Sequence, residues 1–136
     1  MTQFFRRLTV LFSAGAFGGL VNSLALWALG EFRITAALSV KMAPDLTPGW
    51  LYPRIVWGGL WGVLFLLPLF RGSAFKRGFL LSLGPTLIQL FVVFPQVARK
   101  GIMGLELGTM TPVLVVFLNA VWGICAAYWL RGIGEE

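Results

Sequence analysis

Long apolar runs along the chain are separated by short charged intervals. From Leu8 to Leu29, LTVLFSAGAFGGLVNSLALWAL, 22 consecutive residues carry no formal charge. At about 1.5 Å per residue this run makes about 33 Å of helix, enough to cross a hydrocarbon core of about 30 Å. Lipid offers the backbone no hydrogen bonds, so such a run must satisfy its amides within a helix. Three similar runs follow. The pattern predicts an all-α integral membrane protein with four transmembrane helices, near residues 8–30, 51–70, 78–97 and 113–131. They form two hairpins within a single transmembrane domain, residues 1–136.

The longest interval lies between the first two runs. Its segment 34–42 is moderately apolar and holds no Gly or Pro. It predicts a short helix that lies on the membrane interface or dips into it. Pro44 and Pro48 then break the chain, and Asp45-Leu46-Thr47-Pro48-Gly49 reads as a turn. Trp50, Tyr52 and Trp57 supply an interfacial aromatic belt. The basic lead MTQFFRR resembles the start of a signal peptide, with Ser13-Ala14-Gly15-Ala16 as a cleavage-like site. The uncharged run continues well past that point, so an uncleaved first helix is expected.

Small and polar residues recur inside the runs at helical spacing. Gly15 and Gly19 make a GxxxG pair that Ser23 extends; Ala14, Gly18 and Asn22 form a row beside it; Gly58 and Gly62 make a second pair. Small residues let backbones approach closely in lipid, so these rows are expected at helix–helix contacts, within one chain or between copies. Asn22 is expected to face another helix, because an unpaired amide in hydrocarbon is costly. Ser82, Thr86 and Gln89 share one face of the third run, and Pro85 among them predicts a kink. Asn119 joins Gly123 and Ala126 on a face of the last run. Asn22, Ser82, Thr86, Gln89 and Asn119 therefore read as helix-packing groups or as the wall of a solute path, packing being the commoner use. Arg54 and Lys41 are candidates for contact with a headgroup or another anion. Arg54 shares a face with Trp57 and Trp61, which opens a cation–π contact to Trp57. The plainer reading has Arg54 snorkel to the headgroups.

Composition agrees with the pattern. The chain is 58% hydrophobic and 12% charged, against about 25% charged in globular proteins. A net charge of +6 would suggest nucleic acid in a soluble protein. Here the bases sit at the ends of apolar runs, where they meet anionic headgroups. The expected partners are the lipid bilayer and a second copy or another membrane subunit, with no nucleic acid. Four spans put both termini on one side. That side holds Arg6, Arg7, Arg71, Lys76, Arg77 and Arg131; the other holds Arg33, Lys41, Arg54, Arg99 and Lys100. The dense basic loop RGSAFKR and the Arg pair before the first run favour N-in, C-in, in a bacterial inner membrane. The two halves also echo each other: Phe5-Arg6-Arg7 with Phe75-Lys76-Arg77, and Arg54-Ile-Val-Trp-Gly with Asn119-Ala-Val-Trp-Gly. Duplication about an axis along the membrane normal and chance convergence both account for this.

Little chemistry is on offer. There is no His, and Cys125 stands alone, which excludes a Cys/His zinc site and a His acid or base. None of the four runs contains Asp, Glu, Lys or His. There is no P-loop, no nucleophile elbow and no carboxylate pair at metal spacing. No catalytic residue, metal or cofactor is expected; were the protein an enzyme, Asp45, Glu106, Lys41 and Arg54 on one side would be the candidates. The layout is similar to that of small dual-topology fluoride channels in its four spans and glycine-rich first helix. The Arg after the glycine run and the paired phenylalanines of that family are missing, which sets it aside. The favoured role is a helix-packing, assembly or binding protein of the membrane. An oligomeric channel or facilitator for a small solute is the second reading, and a membrane enzyme the last.

Overall fold

The structure is a computed structural model and describes residues 2–135. Every regular element among the described residues is helical, with no strand. The helices are α1 (Thr2–Glu31), α2 (Ile34–Ala37), α3 (Pro48–Trp61), α4 (Ala74–Ile88) and α5 (Thr111–Gly132). A 3-10 segment, Gly62–Leu66, extends α3, and a π-helix, Gln89–Val97, extends α4. A 3-10 turn, Ile102–Gly104, precedes α5.

The ends of these helices differ from the expected ones for local reasons. The basic lead joins α1, since nothing between Thr2 and Arg7 breaks a helix. α3 starts at Pro48, ahead of the expected residue 51. Thr47 caps it, its side chain accepting from the Trp50 amide at 3.2 Å, and Pro48 fills a first-turn position that needs no donor. The run expected to reach residue 70 stops at Leu66. Leu67 precedes Pro68, whose ring pushes its neighbour out of the helical region, and Leu67 is extended at φ −73°, ψ 127°. α4 starts at Ala74 and not at residue 78, because the Ser73 hydroxyl accepts from the Lys76 amide at 3.3 Å. Of segment 34–42 only Ile34–Ala37 is helical, and Ser39, at φ 59°, ends the turn.

Three helices are long and apolar enough to cross a membrane: Thr2–Glu31, Ala74–Val97 and Thr111–Gly132. α3 has only 14 α-helical residues before its five-residue 3-10 extension. α1 packs against both α3 and α5, and α5 packs against both α1 and α4. α4 reaches the 3-10 extension of α3 but leaves a gap beside α3 itself. One core cluster, with Leu11, Phe65, Ala74, Trp122 and Leu130, lies toward the chain termini. Another, with Leu26, Val40, Leu114 and Leu118, lies toward the opposite loops. Arg7 pairs with Glu135 at 3.2 Å, which brings the first and last turns to the same end of the bundle.

Large apolar side chains are exposed outside an apolar core that also buries several polar ones. Phe12, Leu24, Val56, Leu60, Leu87, Val113 and Phe117 are exposed, whereas Asn22, Ser23, Ser82, Thr86 and Asn119 are buried. Apolar surface therefore covers the outside, and polar side chains join the helices within.

The α1–α3 seam consists of the predicted glycines. A Cβ on Gly15 would strike the Gly58 carbonyl, and one on Gly62 would strike the Leu11 carbonyl. A Cβ on Gly58 would lie 2.8 Å from the Gly15 carbonyl oxygen and 2.9 Å from Gly19 Cα. These obstacles are backbone and cannot swing away. Gly58→Leu should therefore cost about 3 kcal/mol, the upper end of ordinary overpacking. Gly49→Ala, where a Cβ would meet nothing within 4 Å, should leave stability unchanged or slightly raised. Fraction folded across an SDS titration in mixed micelles checks both, and equal midpoints for Gly58→Leu and the parent would contradict the seam.

Candidate functional site

The gap between α3 and α4 holds a cavity of about 200 Å³. Its floor is made by Gly19, Asn22 and Ser23 of α1 with Asn119 and Trp122 of α5. One wall is Arg54, Trp57, Gly58 and Trp61 of α3; the other is Pro85 and Ile88 of α4 with Gln89 and Val93 of the π-helix. Trp57 and Trp61 meet edge to face, with ring centroids 6.2 Å apart. Space for a water molecule needs about 10–15 Å³, so the cavity takes a group of several heavy atoms.

Arg54 is turned inward. Its Nε donates to Ser23 Oγ at 2.9 Å and its Nη2 to Asn22 Oδ1 at 2.8 Å. The guanidinium also lies over the Trp50 ring, 4.9 Å from the centroid. The cation–π partner is therefore Trp50, four residues earlier on the same face, and not Trp57. Helical side chains lean toward the N-terminus, which carries Arg54 back along its own face to Trp50. No carboxylate pairs with Arg54 among the described residues; the ion pair recorded there is Arg7 with Glu135.

A polarised chain of hydrogen bonds runs inward from Arg54. Asn22 accepts from Arg54 and donates from Nδ2 to the Leu118 carbonyl at 2.7 Å, with Asn119 Oδ1 at 3.5 Å. Asn119 Nδ2 donates to Thr86 Oγ1 at 3.1 Å and to Gln89 Oε1 at 3.3 Å. Thr86 donates to the Ser82 carbonyl at 2.8 Å, and Ser23 to the Gly19 carbonyl at 2.7 Å. Each acceptor is turned toward Arg54 or toward the next donor. Two consequences reach the cavity. Arg54 Nη1 has no hydrogen-bond partner among the described residues, and the Gln89 amide, its oxygen held by Asn119, has Nε2 left over. The polar groups without partners at this site are donors.

The predicted polar residues thus divide. Asn22, Gln89 and Asn119 line the cavity together with Arg54. Ser82 and Thr86 lie outside it, buried, both hydrogen-bonding carbonyls of their own helix. Lys41 is exposed in the loop after α2, where its amide donates to the Leu107 carbonyl, and it does not join Arg54. Gly19 and Gly58 form cavity lining as well as seam, while Gly15 and Gly62 belong to the seam alone. Asp45 and Glu106 share no hydrogen bond or ion pair among the described residues, and Glu106 folds over its own loop against Gly101. No group of three His, Cys, Asp or Glu side chains comes together there either.

Three contributors carried weaker signals. Ser23 was one more small residue in a row until Arg54 reached it. Trp50 read as interfacial belt. Trp122, 3% exposed, donates its indole N–H to both the Gly15 carbonyl at 3.1 Å and the Gly58 carbonyl at 3.2 Å, pinning the α1–α3 seam from α5. A tryptophan amid small residues at helical spacing was the available cue. No family model matches this chain, and no curated protein and no solved structure matches it.

Proposed function

We propose that this protein is a membrane-embedded binding protein whose α3–α4 cavity receives an oxyanion against Arg54. The observation that carries the reading is the guanidinium itself, turned into a cavity whose unpaired polar groups are donors, with no carboxylate beside it. A charge taken out of water is costly unless it is paired. The Asn22 and Ser23 oxygens offset part of that cost with neutral dipoles, and an anion would supply the rest. Arginine forks match carboxylate and phosphate oxygens in a bidentate geometry, and Gln89 Nε2 adds a donor from the opposite wall.

The setting is a four-span inner-membrane protein, N-in and C-in. The segment Pro48–Leu66 supports the fourth span: 14 α-helical residues and five 3-10 residues rise about 31 Å together, because 3-10 helix gains about 2.0 Å per residue. That equals a hydrocarbon core of about 30 Å. The Arg7–Glu135 pair agrees with termini on one side, and the basic loop after Phe70 supports placing that side in the cytoplasm.

Purified protein in a non-ionic detergent tests the binding reading, with inorganic phosphate as probe. Phosphate should raise the parent's melting temperature in proportion to ln(1 + [L]/Kd), and Arg54→Gln should abolish the rise. An equal rise in both proteins would overturn it.

A facilitator is the second reading, and one observation favours it. A second hollow, lined by Leu26, Met42, Ala43, Pro44, Trp50 and Arg54, shares Arg54 with the first. Arg54 and Trp50 then divide two compartments of one path. Anion flux into liposomes should fall at least about tenfold in Gln89→Leu and in Asn119→Leu, each losing a hydrogen bond near a charge. Unchanged flux in both would sink the facilitator and leave the binding protein standing.

A further inference from the structure

We infer, building on the anion reading above, that the cavity is entered sideways from the bilayer and that its oxyanion is the phosphate of an anionic lipid. The cavity lies between α3 and α4, whose walls line it on opposite sides. α1 and α5 close on one another, with Gly18 so near Trp122 that a Cβ there would strike its backbone. α3 and α4 are the other facing pair from the two hairpins; they meet where the Trp61 ring reaches Gly84, and the cavity lies between them. The rim of their gap is apolar: Trp57 is 56% exposed and Ile88 38% exposed, with Trp61 and Val93 behind them. The donors lie at the back, on Arg54 and Gln89.

This layering selects an amphiphile. A free hydrated anion would have to shed its water against tryptophan and isoleucine before reaching Arg54, and that desolvation is expensive. A lipid has its tail in hydrocarbon already. Its phosphate meets the guanidinium while its tail lies along Trp57, Ile88 and Leu60, which is also exposed. The depth fits. Arg54 lies six residues beyond Pro48, about 9 Å along the helix axis. With α3 beginning in the headgroup layer, where Trp50 and Tyr52 belong, that is the level at which headgroups give way to tails. The positive groove supplies the charge complementarity, and the short polar floor leaves room for a phosphate and not for a chain.

The test is native mass spectrometry of the full-length protein, released from non-ionic micelles containing equal phosphatidylglycerol and phosphatidylcholine. The parent should retain phosphatidylglycerol in preference by about tenfold or more, as a charge-assisted hydrogen bond allows. Arg54→Gln should lose the preference, and Arg71→Gln, an exposed arginine away from the groove, should keep it. Ile88→Trp narrows the rim and leaves every polar group in place; it should lose the lipid while keeping any melting-temperature response to inorganic phosphate. Should Arg54→Gln fail to fold, Ile88→Trp carries the test alone. A parent without preference, or an Ile88→Trp protein that retains it, overturns the inference of an anionic lipid entering from the bilayer. An Arg54-dependent phosphate response without lipid preference sinks this inference and spares the anion site; no response to either probe sinks both. Lipid preference with no response to free phosphate supports the inference, since the tail then contributes the binding.

Discussion

A guanidinium held among neutral dipoles is the constraint on which the interior depends. Arg54 carries its charge on a helix whose outer face is hydrocarbon-like. Its charge is spread by two side-chain oxygens of α1 and the face of Trp50. Asn22 can offer its oxygen to Arg54 only because its nitrogen has the Leu118 carbonyl, and Asn119 passes the same orientation on to Gln89 and Thr86. Chains of this kind strengthen through mutual polarisation in a low dielectric. One positive charge on α3 thus orders side chains on α1, α5 and the π-helix.

Close helix contacts make that arrangement attainable. Polar side chains as short as Ser and Asn span two helices only when the backbones nearly touch, and glycine permits this. Gly15, Gly19, Gly58 and Gly62 bring α1 and α3 together, and Gly78 meets Gly123 between α4 and α5. The π-helix acts differently. It begins at Gln89, four residues after Pro85, and contains Pro95. Pro85 before it and Pro95 within it cannot donate, and wider turns of this kind recur at functional sites. Here the first wide turn presents Gln89 to the cavity.

Much of the internal contact pattern was legible because a helix repeats every 3.6 residues. The Gly15–Gly19–Ser23 row faces α3, and the neighbouring Ala14–Gly18–Asn22 row faces α5, so two adjacent stripes on one helix serve two partners. Which partner took which stripe was not legible, since each is two small residues followed by one polar residue, Ser23 or Asn22. The end of the α3 run was written in Leu67-Pro68, a local signal that hydropathy alone passes over. The inward turn of Arg54 was the harder matter. An arginine one or two turns inside a span usually snorkels outward, and only the oxygens of Asn22 and Ser23, more than 30 residues earlier, reverse that. Ser82, Thr86 and Gln89 share a stripe; Asn119 bridges Thr86 and Gln89, while only Gln89, at the start of the π-helix, reaches the cavity.

The carbonyl of Arg54 lies where a side chain on Gly19 would have to go, 2.9 Å from its Cβ. The residue that carries the charge is therefore also a stone in the wall that fixes helix spacing. Helix spacing and cavity shape share one joint here, so neither can be altered through α1 without the other registering it. Ile88 and Val93 on the α4 side shape the cavity without touching that joint, so its width can change there while helix spacing holds.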